Sequence, residues 1–408
     1  MNILIINHYA GSPNMGMEFR PYFMSREWKA MGHNVLIVCA SNAHVRNVQF
    51  DIKESLVEKN IENQDYLILK TPEYSRNSFK RVLNMYAFVK GLKKNARYIA
   101  ENYKPDIVIA SSTYPLDIFP ARKIAKLSEA KLFFEVHDLW PLSPMELGGY
   151  SRWHPFILIM QYAENYAYKH SDKVVSMLPN ALEHMKNHGL KEEKFFYVPN
   201  GIVADEWNIN ESIPENIKKL IEQERKKGHK IIAYAGSHGV ANALDSLIDA
   251  MILIKEQAIS LFLIGDGPLK SELINRVKSE NLNNVFFIDS IKKTLIPAVL
   301  DKFDFLYLGL QNQSLFRFGI SPNKLIDYLM AGKPIIQAIN AGNDIVKDAN
   351  CGISIEPENP EKIADAVMSL SKLNDSEIKE LGDNGKKYCL KNHDYKVLAQ
   401  KFINIMED

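Results

Sequence analysis

Short runs rich in β-branched and aromatic residues alternate with longer amphipathic segments along this chain, and the alternation occurs in two separate series. In the first, the runs are Ile3 to Ile6, Asn34 to Ala40, Tyr66 to Leu69, Asp106 to Ala110, Lys131 to Glu135 and Lys173 to Leu178. Near-continuous apolar runs of this length suit parallel strands covered on both faces. The segments between them, such as Met17 to Ala30 and Lys80 to Asn102, repeat apolar residues at helical spacing, which completes a βαβ rhythm. The second series starts at Lys230 with IIAYAG and continues through SLFLIG, NVFFID, FDFLYLGL, KPIIQAI and GISI. A chain of 408 residues fits two such units better than one. The expected fold class is therefore α/β: two Rossmann-like, doubly wound parallel-sheet domains facing a cleft.

Between the series, Val198-Pro-Asn-Gly201 punctuates the chain and Asp205 to Glu215 is polar, as an interdomain connection should be. The expected boundary falls between residues 203 and 204. Val45 to Gln64 is polar and weakly periodic, and reads as a mobile loop over the cleft or a loose surface excursion.

Fifty Lys and Arg face 49 Asp and Glu, so no global charge excess favours nucleic acid. Cys39, Cys351 and Cys389 are scattered and match no metal-ligand spacing, which suits a reducing, cytoplasmic setting. The apolar N-terminus reads as a strand and lacks the features of a signal peptide. No stretch approaches the ~20 apolar residues of a membrane-spanning helix.

In open α/β sheets, ligands bind beyond the carboxyl ends of the strands, so the loops there are the places to look. The first, Tyr9 to Gly16, carries Gly11 and Gly16 and leads into a helix expected near Met17. Its glycines and helix N-terminus suit either an anion or an ordinary tight connection, and the GxGxxG fingerprint is absent. The second, Phe134 to Pro141, places His137 and Asp138 at a strand end. There His137 can hydrogen-bond a sugar hydroxyl while Asp138 holds it or the acceptor, and either can assist proton transfer, or else they serve as a satisfied histidine and a helix cap.

The third loop holds Gly236, Ser237, His238 and Gly239, whose amides and hydroxyl could cradle a diphosphate at a helix start or simply form an uncommitted βα turn. One strand later, Gly265, Asp266, Gly267 and Pro268 form a similar turn, expected to line a nucleotide. The fourth, Gly319 to Pro334, places Ser321 as a helix cap, Pro322 in the first turn and Asn323 beside it. Lys324 and Asp327, three residues apart, lie on nearly one helical face. They could neutralise phosphate and accept from ribose hydroxyls, or form a solvated ion pair.

Taken in order, the glycine loop, VHDLWP, VPNG, GDGPL and the segment from SPNK to AGKP resemble the family 4 retaining glycosyltransferases of the GT-B fold. The likeness runs over essentially the whole chain. PNMGMEFRPYFMSREW, GSHGVANALD and SPNKLIDYLMAGKP are similar to the branch that builds O-antigen and capsule repeats, including fucosamine transferases.

The resemblance implies a nucleotide diphosphate-sugar donor, with UDP as the expected nucleotide, on the second domain. It also implies an acceptor on the first, contacted by Gly11, Glu18 and Arg20, with Gly16 reaching the donor. The acceptor is expected to be a glycan on polyprenyl diphosphate, met by a protein peripheral to the inner membrane face. The C-terminal stretch 391–408 is expected to return to the first domain, leaving 204–390 as the second.

Asp327 takes the place of the second glutamate of the family's Glu-x7-Glu motif. Gly319 stands where the first would be, and the family's basic pair falls near Ser237 and Asn242, neither of them basic. Lys324 is expected to supply the missing charge, without a metal or cofactor, since no Asp-x-Asp motif occurs. A non-catalytic nucleotide-sugar-binding homologue and a nucleotide-sugar epimerase are the alternatives. The apolar run Trp153 to Met160 beside Arg152 is expected to pack on the first sheet or to dock at an interface.

Overall fold

The computed structural model describes residues 1–16, 19–74 and 79–408. Its contacts divide the chain into two units, Met1–Asn200 with Phe318–Ile320 and Tyr395–Asp408, and Gly201–Arg317 with Ser321–Asp394.

The first unit holds strands β1 (Asn2–Ile6), β2 (Asn34–Ala40), β3 (Leu56–Ile61), β4 (Gln64–Leu69), β5 (Ile107–Ala110), β6 (Lys131–Val136), β7 (Lys173–Ser176) and β8 (Phe195–Tyr197). They form one sheet in the order β3-β4-β2-β1-β5-β6-β7-β8. Leu4 of β1 lies in register with Leu36 of β2 on one side and Val108 of β5 on the other. Strands β1, β2, β5 and β6 bury both faces, which is why they read as unbroken apolar runs.

Strand β3 is the exception, because it pairs antiparallel with β4 through a hairpin at Glu62 and Asn63, whose φ angles are 49° and 64°. The stretch expected to be loop is therefore partly strand. Its exposed Glu58, Lys59 and Asn60 are what an edge strand uses to discourage further pairing, so it carries no apolar signature.

The second unit holds β9 (Lys230–Ala235), β10 (Ile259–Ile264), β11 (Val285–Ile288), β12 (Phe305–Gly309), β13 (Ile335–Ala338) and β14 (Gly352–Ile355). They form an all-parallel sheet in the order β11-β10-β9-β12-β13-β14. In each sheet the strand order reverses beside its first strand, between β1 and β5 and between β9 and β12. The loops leaving those strands therefore diverge and open a crevice.

The C-terminal helix Tyr395–Glu407 packs on the first unit. Trp28 donates its indole N–H to the Ala399 carbonyl at 3.1 Å, and its ring meets Phe402 edge-on. Seven of the helix's thirteen residues are buried, at spacings that make one face. Burial of each such large apolar side chain stabilises by roughly 1.5–3 kcal/mol. Among the described residues no helix is long and apolar enough to cross a membrane.

Candidate active site

At the switch point of the first unit, the carboxyl ends of β1, β5 and β6 bring together a buried polar network. Glu135 is on β6, and His137 follows two positions later, so the strand's alternation aims both to the same side. Ser111, just after β5, donates its hydroxyl to Glu135 Oε2 at 2.6 Å. His137 Nε2 lies 3.0 Å from Ser111 Oγ and 3.2 Å from the same carboxylate oxygen. With the serine proton committed to Glu135, both neighbours can accept from an Nε2–H, which sets the neutral ring's tautomer with Nδ1 as its acceptor.

The other oxygen of Glu135 accepts from Arg20 Nε at 2.9 Å. Burial opposes ionisation of Glu135, yet the charge of Arg20, followed by His137 and Ser111, holds its carboxyl well below the usual range.

Two expectations are corrected here. The carboxylate that receives His137 is Glu135, whereas Asp138, one residue on, faces the other way. Asp138 Oδ1 accepts from the Leu139 amide at 2.9 Å and Ser143 Oγ at 2.5 Å, and so ties its loop to the helix Leu142–Glu146. Burial raises its pKa.

Arg20 is not offered to an acceptor. It is 3% exposed and donates also to the carbonyls of Val198 and Pro199, which makes it a clamp on the end of the unit.

The helix expected near Met17 starts at Arg20, with no side-chain cap. Gly11 is buried, its carbonyl accepting from Tyr66 Oη at 2.9 Å. Gly16 has φ +153° and forms an isolated bridge with Arg46, where a Cβ would lie 2.5 Å from the Val45 carbonyl oxygen. Glu18 lies outside the described residues.

In the second unit, the loops after β9 and β10 are locked against each other by the absence of side chains. A Cβ on Gly265, at φ +139°, would sit 1.9 Å from the Gly236 carbonyl oxygen, and one on Gly267 2.5 Å from that of His238. The His238 amide donates to Asp266 O at 2.9 Å, while Leu269 donates to His238 O at 3.0 Å. Lys270 reaches back to the Gly265 carbonyl at 3.0 Å, and the Asp266 carboxylate accepts from the Gly267 amide at 2.8 Å. Ser237 and Pro268 are exposed on these two turns.

Lys324 is the charged centre of this crevice. It stands in the first turn of the helix Asn323–Ala331 and directs Nζ to Tyr234 Oη at 2.7 Å and Asn242 Oδ1 at 2.8 Å. Tyr234 and Asn242 also both donate to the Ser237 carbonyl. The ammonium thus lies on the loop between Gly236 and Gly239, where a Cβ on Gly236 would lie 2.5 Å from Lys324 Cε. Burial lowers the Lys324 pKa to about 7 and raises that of Asp327 to about 6, with Lys293 opposing the latter. Lys324 is thus held by Tyr234 and Asn242 rather than spent in a solvated ion pair.

Two placements at the start of this helix differ from expectation. Pro322 is the cap position, with extended backbone, and so lies just outside the first turn. No side chain caps the helix, and Ser321 precedes the cap.

A short 3-10 turn, Val240–Asn242, separates the glycine loop from the helix Leu244–Leu253. The His238 ring is buried, its pKa lowered by burial to about 4, and neither ring nitrogen has a hydrogen-bond partner among the described residues. His238 therefore joins the loops through its backbone.

A depression of about 540 Å³ lies elsewhere, among Asn2, Asn34 and Pro105 at the amino ends of the first sheet, the end that open α/β sheets do not use for ligands.

A family model described as Glycosyltransferase Family 4 matches residues 16–206, and one described as Glycosyl transferases group 1 matches residues 229–373. The two matches together take in both switch-point crevices. The chain is a glycosyltransferase, its first half matching the family 4 model and its second the group 1 model.

WcaI of Escherichia coli (strain K12), a glycosyl transferase named for colanic acid biosynthesis, is 21% identical over 316 residues, 75% of each chain. Among solved structures, Anabaena HepE in complex with UDP and glucose aligns over 100% of both chains with a TM-score of 0.68 at 12% identity. Sucrose-phosphate synthase from Thermosynechococcus elongatus aligns over 100% of this chain and 98% of its own, with a TM-score of 0.73 at 12% identity. These likenesses show the GT-B fold.

Sequence reasoning on this glycosyltransferase missed Glu135, Ser111, Tyr234 and Lys270. Glu135 had a usable signal, since a lone carboxylate inside the apolar run Leu132 to Val136 must be paired if the strand is buried.

Proposed function

We propose that this glycosyltransferase moves a hexosyl or N-acetylhexosaminyl group from a UDP-sugar, with retention and without a metal, onto a lipid-linked glycan during assembly of a bacterial surface polysaccharide. The observation that carries the reading is Lys324 Nζ, set over the Gly236–Gly239 backbone by Tyr234 and Asn242. A departing nucleoside diphosphate gains negative charge, and a fixed ammonium at a helix start stabilises that charge most where water is excluded.

Gly236, Ser237 and Gly239 supply the backbone of the diphosphate cradle, and the Gly265–Pro268 turn lines the nucleotide. Asp327 accepts from ribose hydroxyls, and His137, oriented by Glu135 and Ser111, positions the transferred sugar.

The assignment to the O-antigen and capsule branch, with a fucosamine-type donor, draws on the sequence motifs and on the likeness to WcaI. A peripheral, inner-face location draws on the first unit. Phe79, Leu83 and Tyr86 are exposed on the helix Phe79–Tyr103, and so are Trp153, Ile159 and Tyr162 on and before the helix Pro155–His170, of which only part packs inward. Met85 and Met160 of these helices share one buried cluster, so the two apolar faces are neighbours. The first helix also carries Lys80, Arg81, Lys90, Lys93, Lys94 and Arg97 against Glu101 alone, which suits anionic lipid.

Thermal unfolding with UDP and a chelator tests the donor site. Binding at a hundredfold excess over Kd stabilises the native state by about 2.7 kcal/mol. A shift with UDP that survives the chelator and is lost in Lys324→Met supports the reading. Indifference to every nucleoside diphosphate would turn it towards a non-catalytic homologue.

A further inference from the structure

The helix Pro155–His170 and the helix Leu182–Asn187, both in the first unit, meet through a cluster the transfer reaction does not use. Gln161, Glu164 and Asn165 follow one another at helical spacing and share a face, and His184 and His188 are four apart. His184 Nε2 is 3.1 Å from Glu164 Oε1, and His188 Nδ1 is 3.1 Å from Asn165 Oδ1. The ligand atoms of Glu164, His184 and His188 all lie within 4.8 Å of one another.

Protein hydrogen bonds alone do not satisfy this cluster. Gln161 Nε2 lies 2.6 Å from Glu164 Oε2, 2.8 Å from Asn165 Oδ1 and 3.0 Å from His188 Nδ1. A primary amide has two hydrogens for these three acceptors. If His188 Nδ1 instead carries a proton for Asn165, it confronts the Gln161 donor. Turning over the Asn165 amide sets two donors together, and turning over that of Gln161 sets its oxygen against a carboxylate at 2.6 Å. Every assignment leaves one like-to-like contact, whereas a cation among the lone pairs leaves none. Metal–ligand bonds near 2.0–2.1 Å in a tetrahedral site imply ligand atoms roughly 3.3 Å apart, and two edges here are already 3.1 Å.

We propose that Glu164, His184 and His188, with the Asn165 amide oxygen as fourth ligand, bind a divalent transition metal of the zinc type. The ion ties the helix Pro155–His170 to the helix Leu182–Asn187, and the Gln161 amide swings aside when it binds. Imidazole with carboxylate favours zinc over magnesium or calcium. Tyr168 Oη donates to Glu164 Oε1 at 2.9 Å, the kind of outer support that orients a ligating carboxylate. The role is structural: the His184 ring meets Phe318 edge-on at 5.5 Å, and Asn180 donates to the Phe318 carbonyl, so the metal braces the seat of that segment.

The test uses the full chain stripped with a chelator, then titrated with Zn²⁺, Mg²⁺ or Co²⁺. Expected are one zinc per chain, a rise in Tm of several degrees with Zn²⁺ and none with Mg²⁺, and the intense visible absorption of tetrahedral Co²⁺. His188→Ala and His184→Gln should remain folded by circular dichroism and lose the stoichiometric metal, while Gln161→Ala keeps it. Zinc content equal in the wild type and the two histidine variants, or an octahedral Co²⁺ spectrum in the wild type, overturns the proposal. All readouts are independent of sugar transfer.

Discussion

Arg20 Nε donates to Glu135 Oε1 across 2.9 Å, with both side chains almost wholly buried. Breaking such a pair leaves an unpaired charge in the interior and costs about 3–5 kcal/mol. Arg20→Met should therefore destabilise the first unit by that amount in denaturant unfolding, and Arg20→Met with Glu135→Gln should recover part of it. The folded-state pKa of Glu135 lies below its ordinary 4.5, so its stabilisation is present above pH 4.5 and is lost as pH falls through the folded value. That acid-side loss should be absent from the double variant.

The same pair marks where the sequence was legible and where it was not. Strands buried on both faces announce themselves as apolar runs, so β1, β2 and β9 could be placed from residues alone. Arg20 and Glu135 are 115 positions apart, and their contact follows only from the order in which strands are laid side by side. Local spacing therefore suggested Asp138 as the partner of His137, and the alternation of the strand end gave that role to Glu135. Lys324 could be singled out as a charge near a helix start, while its engagement with Tyr234 and Asn242 depends on β9 and β12 being neighbours.

The two glycine turns of the second unit make a sharper prediction. A Cβ on Gly265 meets the backbone of Gly236 at 1.9 Å, with no flexible side chain to give way. Gly265→Ala should cost about 3 kcal/mol or more, from the overlap and the strained φ together. Gly228→Ala, at φ +81° in open space, should cost only the roughly 1–2 kcal/mol of a left-handed backbone. Equal losses in the two variants, measured by urea unfolding, would show that the loops are not locked as described.

Asp327 carries a penalty that its proposed ribose contact would justify. Its folded pKa is about 6, above the ordinary 3.8, so between those values the folded state holds more protons than the unfolded state. Stability therefore falls as pH rises through that window, and the full penalty, at most about 3 kcal/mol, stands above pH 6. Asp327→Asn should raise Tm at pH 8, make no difference near pH 3.5, and weaken UDP binding. A variant with unchanged Tm at pH 8 would remove the buried-carboxylate description.

Lys324 should couple nucleotide binding to protons. Burial sets its pKa near 7, so at pH 8 much of the ligand-free protein carries a neutral amine held by Tyr234 and Asn242. A diphosphate beside Nζ favours the ammonium and raises that pKa. Binding of UDP at pH 8 should therefore take up a fraction of a proton, and affinity should decline as pH rises above about 7. Calorimetric titrations in buffers of different ionisation enthalpy measure the uptake directly. In Lys324→Met the uptake should vanish and UDP affinity should fall by roughly 10- to 100-fold, the equivalent of about 1.4–2.7 kcal/mol. Uptake that persists undiminished in the variant would place the titrating group elsewhere and take Lys324 out of the diphosphate site.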